Sequence, residues 1–297
     1  MKFLKTVQKA LPENSIRFLL HRELTKPGQG RSHRVLHASD MTHDEKEFCP
    51  REFALKDILH ATAETQRETA AMAMVYMHGH MIQAEICTIL SKSGRGIGDW
   101  RCQNCYTMIQ FALLPVLCNA CGCKSFDYEE MRFESPATGA SCGIDLLIKT
   151  AAQKLRILEI KSIKEDFFKK LVAPKAEHRV RTNLYMRLVE DSGRHGLINV
   201  EEATVLYVSK GYGVKEDSVA AWGFNEEGWS PFKEYTVTRN DAETEEYWQR
   251  AKMLNTFRKE GKMPLGVCPT SFGQRAKDCS MVHQCFSGKY PAWDGWL

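Results

Sequence analysis

Hydrophobic and polar positions along the chain single out one stretch, 143–163, reading GIDLLIKTAAQKLRILEIKSI. Two short apolar runs, 144–148 and 155–160, are joined by a polar link over 149–154 that is long enough for a hairpin. Each run is rich in Ile and Leu, yet each carries an acid that a buried strand does not normally hold. Alternation places Ile157, Glu159 and Lys161 on one face of the second strand, and Asp145 enters near the start of the first. A hairpin brings Asp145, Glu159 and Lys161 together at one edge of a sheet. Two carboxylates on such a frame suit a hard divalent cation such as Mg²⁺, which takes phosphate oxygens and waters as further ligands. A lysine two residues beyond the second acid suits holding a water or offsetting charge on a phosphate.

Other segments read more coarsely. A long helix is predicted over 64–89, rich in Ala, Met and Gln, with His80 and Gln83 on one face. Cys49, followed by Pro50 and Arg51, stands just before a shorter helix. Beyond Lys161, His178, Arg181 and Tyr185 fall at i, i+3 and i+7, one stripe of a helix in a basic neighbourhood that includes Arg179. A core strand follows, ATVLYVSK, ending at Lys210, and a further helix is predicted over 242–259. The chain divides into a basic arm (1–45), a helical segment with Cys49 (46–98), a cysteine-rich insertion (99–127), an α/β core (128–240) and a C-terminal helix with three late cysteines (241–297). Glu134, after the insertion, reads as an exposed strand residue or an outer acid of the metal site.

Composition narrows the class. The chain has 297 residues, 43% of them hydrophobic and 26% charged, as in a globular protein. No run approaches the roughly 20 apolar residues that span a bilayer. The opening residues interrupt apolar positions with charge and show no cleavage-site pattern, so no secretion signal and no membrane association are expected. A net charge of +4 leaves room for a local nucleic-acid surface but not a global one. Eleven cysteines without an export signal point to metal binding in a reducing compartment. Cys102, Cys105, Cys118 and Cys121 form C-x2-C-x12-C-x2-C, a zinc-ribbon spacing for a structural Zn²⁺. Cys123 is an alternative to Cys121, and a redox dithiol is the alternative to zinc.

Gly143-Ile144-Asp145 and Glu159-Ile160-Lys161, set as D-x13-E-x-K on paired strands, resemble the PD-(D/E)XK nuclease superfamily. The flanks resemble its RecB-like, CRISPR-associated iron–sulfur exonucleases, with a phage-type flavour. That resemblance implies a restriction-endonuclease-like α/β core, a mixed sheet flanked by helices, with the zinc ribbon inserted and a cysteine staple at the C-terminus. It implies Mg²⁺- or Mn²⁺-dependent hydrolysis of DNA on single strands or ends, in recombination, repair or genome processing. A DNA-binding or assembly module that has lost catalysis is the alternative. Asp145 and Glu159 would bind the metal and Lys161 would assist. A family histidine would be met by His80 or, nearer its usual place, by Gln83. The family's QxxxY element stands here as Arg181 and Tyr185, with His178 and Arg179 beside it on the nucleic-acid side. Cys49 with Cys268, Cys279 and Cys285 resembles the family's [4Fe–4S] staple, although ten residues separate Cys268 from Cys279 where two are usual, so zinc there is the alternative. The same resemblance implies a cytoplasmic setting in a bacterial or phage-infected cell and recombination or replication proteins as partners. Oligomeric state is left open.

Overall fold

The structure, a computed structural model, describes residues 16–25, 35–42, 47–59, 69–150, 154–194, 196–211 and 230–296. Most of the basic arm, including its 26–34 loop, and positions 64–68 of the predicted long helix lie outside the described residues. In chain order, α1 (Ile16–Leu24), β1 (Leu36–His37), α2 (Ala38–Met41) and α3 (Pro50–Ile58) precede the long α4 (Ala70–Lys92). Then come β2 (Gly96–Cys102), β3 (Met108–Ala112), β4 (Phe126–Glu129), β5 (Met131–Glu134), β6 (Ala140–Ile144), β7 (Leu146–Lys149) and β8 (Leu155–Ile163). The chain continues through α5 (Glu165–Lys170), α6 (Ala176–Asp191), β9 (Ile198–Ser209) and β10 (Phe232–Thr238). It closes with α7 (Glu245–Glu260), α8 (Gln274–Lys277) and α9 (Val282–Phe286).

The alternating run over 155–163 becomes β8, a central strand of a seven-stranded mixed sheet ordered β10-β9-β8-β7-β2-β3, with β4 also paired to β2. β7 and β8 form the expected antiparallel hairpin, with Leu146 opposite Leu158 and Leu147 opposite Ile157. β8 and β9 run parallel. Parallel neighbours need a crossover, and α5 and α6 supply it. A small second sheet, β1-β6-β5, pairs β1 parallel to β6.

Both faces of the large sheet are covered. On one, Ile157, Val205 and Tyr207 pack with Leu184 and Leu188 of α6 and with Phe133 and Ile144 of the small sheet. On the other, Leu146, Leu158, Ile160 and Val208 meet Ile82, Ile86, Cys87 and Leu90 of α4. Each fully buried aliphatic side chain contributes roughly 1.5–3 kcal/mol from removed apolar surface. This is an α/β architecture, a mixed sheet flanked by helices. No helix among the described residues is long and apolar enough to cross a membrane.

Two departures from the sequence pattern shape the functional regions. The apolar run 144–148 is not one strand: β6 ends at Ile144, β7 begins at Leu146, and Asp145 stands at the break where the chain passes between the two sheets. A carboxylate that must bond laterally cannot also sit passively in a buried ladder. Secondly, β2 belongs both to the large sheet, where Gly96 lies opposite Ile148, and to the cysteine module, which it enters at Cys102. The module is therefore an extension of the sheet and not a bead on a linker. At its neck Trp100 is fully buried and its indole N–H donates to the Ala112 carbonyl at 3.0 Å.

Candidate active site and cysteine centres

The β7–β8 register carries Asp145 to the position beside Glu159, and both are almost completely buried, 4% and 2% exposed. They line a cavity of about 580 Å³ between α4, α6 and the sheet, together with Lys161, Gln83, Arg181 and Tyr185. Asp145 is held from three sides. The Ile160 amide donates to Oδ2 at 2.6 Å, the Gln83 side-chain amide donates to Oδ1 at 2.8 Å, and the Tyr128 hydroxyl donates to its main-chain carbonyl. Glu159 and Lys161 form an ion pair across one intervening residue. The ammonium lies against Glu159 Oε1.

Electrostatics define what this site lacks. Burial, and then the neighbouring Glu159 carboxylate, push the Asp145 pKa well above the usual carboxylate range. Burial alone pulls the Lys161 ammonium down, but Glu159 and Asp145 more than offset this and raise it. Tyr185, 8% exposed, is raised by burial and by Glu159, so its hydroxyl stays protonated. Two adjacent buried carboxylates make a donor set that fits a hard divalent cation.

Other predicted residues fall less simply. His80 lines the cavity but is exposed, whereas Gln83, one turn on, is the α4 residue that bonds Asp145. His178 lines the cavity, yet its ring is bound to the Tyr207 hydroxyl at 2.8 Å and to Glu177 at 3.2 Å. Arg181 faces the cavity and is steadied by a 3.2 Å bond from Nε to the Thr42 hydroxyl. Arg179 does not join it. One residue from the His178 row and two from Arg181, it turns the other way and pairs with Glu243 at 2.8 Å. Glu134 is exposed on β5, and Lys210 lines the cavity.

One acid was missed from the sequence. Glu130, in the single-residue gap between β4 and β5, lines the same cavity and lies 3.4 Å from the Gln83 amide, which therefore bridges it to Asp145. Its carboxylate folds over Gly143. A Cβ at that position would lie 2.2 Å from Glu130 Oε2, so a side chain there would push this carboxylate aside.

The first four cysteines converge. Sγ of Cys102 is 3.5 Å from that of Cys121, and Cys105 is 3.6 Å from Cys118, with all four ligand atoms within 4.8 Å of one another. That set can hold a metal ion. Cys121 completes it; the Cys123 sulfur instead accepts from the Ser125 amide at 3.3 Å. The two knuckles are built alike. The residue after each second cysteine, Tyr106 at φ 59° and Gly122 at φ 73°, is left-handed, and its amide donates back to Cys102 and Cys118 respectively. Thr107 hydrogen bonds pull the Cys105 pKa down to about 6, favouring the thiolate.

The other four also meet. Cys49 caps the start of α3, with Pro50 at the first helical position. It lines one small cavity of about 20 Å³ together with Cys268, Cys279 and Cys285. These four are spread more widely than the first set, the group drawn within 4.8 Å among the described residues. Cys87 and Cys142 are buried thiols with pKa values raised by desolvation.

No protein-family model matches this chain. No curated protein matches it either. Among solved structures it is similar to one described as "Crystal structure of SSO0001", at 12% identity and a TM-score of 0.39, covering 81% of this chain and 85% of that one.

Proposed function

We propose that this protein is a divalent-metal-dependent DNA nuclease of the PD-(D/E)XK type, RecB-like, acting on single strands or ends. The observation that carries the reading is the opposition of two buried carboxylates, Asp145 and Glu159, with Lys161 beside them in one open cavity. Asp145 and Glu159 would hold Mg²⁺ or Mn²⁺, with Gln83 bonding Asp145 and Glu130 lining the same cavity. When bound, the cation polarises the scissile phosphate and lowers the pKa of a water. Lys161, cationic and fixed by Glu159, positions that water and offsets charge building on the phosphoryl oxygens. Arg181, half-buried at the cavity wall, bonds a phosphate of the strand, and the protonated Tyr185 donates beside it. His80 stands at the rim as a strand contact. In this reading Gln83 takes the place at which related nucleases carry a histidine, serving as an amide that orients Asp145.

In the same reading the first cysteine set is a zinc ribbon. Thiolates about 2.3 Å from a tetrahedral zinc lie about 3.8 Å apart, close to the spacing of Cys102–Cys121 and Cys105–Cys118. The wider second set suits a [4Fe–4S] cluster, whose thiolates stand further apart than those of a single ion. Both centres are structural, since hydrolysis transfers no electrons.

The test is incubation of anaerobically purified protein with end-labelled single- and double-stranded DNA in Mg²⁺, Mn²⁺ or EDTA, beside Glu159→Ala. Metal-dependent degradation that the variant loses supports the reading, and the product ladder gives polarity. DNA binding without cleavage by either protein overturns it in favour of a binding module.

A further inference from the structure

Two arginines close on the second cysteine set, and the hydrolytic reading uses neither. Arg51 follows Cys49 by two residues on α3 and is 7% exposed. Its Nε donates to Cys285 Sγ at 3.2 Å, and its terminal nitrogens donate to the carbonyls of Pro264 (3.1 Å), Cys285 (3.3 Å) and Tyr290. Among the described residues no carboxylate forms an ion pair with it. A buried guanidinium without a carboxylate is costly unless another anion lies against it. Among the described residues, the anion-forming group that it hydrogen-bonds is the Cys285 sulfur.

Arg275, on α8, lines the same cavity, and its buried Nη1 has no hydrogen-bond partner among the described residues. It is held by Glu52 Oε2 at 2.7 Å, and Glu52 also binds Lys56 at 2.8 Å. Four thiolates on a doubly charged core carry about −2, so cations held beside them are favoured.

We propose that Arg51 and Arg275 are the charge partners of the group bound by Cys49, Cys268, Cys279 and Cys285, with Arg51 bonding the Cys285 sulfur and the unpartnered Nη1 of Arg275 serving the same cavity from α8. This rests on the reading of that group as an iron–sulfur cluster. Hydrogen bonds and positive charge at the sulfurs favour the more negative, reduced state, so the pair raises the cluster's midpoint potential and slows its loss to oxidants. Because Glu52 already offsets Arg275, Arg51 has the larger effect.

The experiment compares wild type, Arg51→Gln, Arg51→Lys and Arg275→Gln, all purified anaerobically. The readouts are iron and sulfide per chain, midpoint potential by redox-titrated spectroscopy, and the rate at which cluster absorbance is lost in air. Arg51→Gln is expected to shift the balance tenfold toward the oxidised state, about 59 mV for a one-electron couple, and to lose the cluster several-fold faster. Arg51→Lys, keeping charge without the fork, falls between it and wild type. Arg275→Gln shifts the same way by less, and it carries the test should Arg51→Gln not fold. Zinc retained by the Cys102 set reports folding in each variant. A wild-type cluster whose potential and lifetime are unchanged in Arg51→Gln and Arg275→Gln overturns the inference and leaves the cluster reading standing. A wild type holding zinc and no sulfide at these cysteines overturns the cluster reading, and the inference with it.

Discussion

The two cysteine centres differ in how far along the chain their members are gathered. Cys102 and Cys121 are 19 positions apart, whereas Cys49 and Cys285 are 236 apart. Closing the longer loop costs only about 2 kcal/mol more entropy, so length alone does not separate them. What separates them is the chain they hold. The first set sits in a module whose outer side chains are largely exposed, Tyr106 at 72% and Val116 at 84%, so it has little core beyond its neck. The second joins segments already packed. Around it α3 lies against α7, Arg258 pairs with Asp57 at 2.8 Å, and Arg250 bonds Glu47 and the Phe48 carbonyl. A metal ion in the first set would therefore act as a substitute core, and the group proposed for the second would act as a staple between finished surfaces.

The comparison breaks most visibly if the module loses its ion. Cys102→Ser is expected to forfeit binding free energy on the order of 10 kcal/mol, all of it local. Hydrogen exchange should show residues 102–126 unprotected while β8 stays slow; equal loss in β8 contradicts a substitute core. Cys285→Ser removes less, about 4 kcal/mol of linkage from a tightly bound group, but takes it from the whole domain. Its denaturation midpoint should fall and limited proteolysis should release residues beyond 262. An unchanged midpoint means that packing alone holds those segments. The neck sharpens the contrast. Trp100→Ala costs about 3 kcal/mol by leaving a cavity where module and sheet share β2, and it should shift both regions together in exchange experiments.

The smallest effect concerns the carboxylate pair. Asp145 has a folded pKa raised above its unfolded value, so the cation-free protein loses stability as pH climbs between the two, by about 1.4 kcal/mol per pH unit. The same proton competes with a cation. Mn²⁺ affinity, followed by calorimetry, should therefore rise about tenfold per pH unit until pH passes the raised pKa. Asp145→Asn should flatten that slope. A wild-type affinity that does not vary with pH counts against metal binding at this carboxylate.

Strand alternation was enough to place Asp145, Glu159 and Lys161 together, because a hairpin with a short link has few registers that bury Ile and Leu. The knuckle spacing was likewise sufficient for Cys102, Cys105, Cys118 and Cys121. The approach of Cys49 to Cys268, Cys279 and Cys285 was suggested only by resemblance, since no local pattern encodes a contact over such a distance. Glu130 was invisible because an acid between two short strands looks like any solvated turn residue; its role depends on folding over Gly143. That Gln83, and not His80, bonds Asp145 depends on the rotational phase of α4, which three-residue spacing leaves open. The same spacing does not show that Arg179 leaves the helix on the flank that meets Glu243. The break at Asp145 and the parallel pairing of β1 with β6 depend on contacts between sheets, which hydrophobic periodicity does not record.

The gathering of Cys49 with three late cysteines also sets an order of events during synthesis. At roughly 5–20 residues per second, Cys285 leaves the ribosome roughly 10–50 s after Cys49. The four-cysteine module can close as soon as its own short stretch has emerged. Cys49 must wait as a lone reduced thiol through the making of the whole sheet, and whatever is loaded beside it arrives at a nearly finished protein. One centre can guide folding as it happens, while the other can only certify that folding has brought the right ends together.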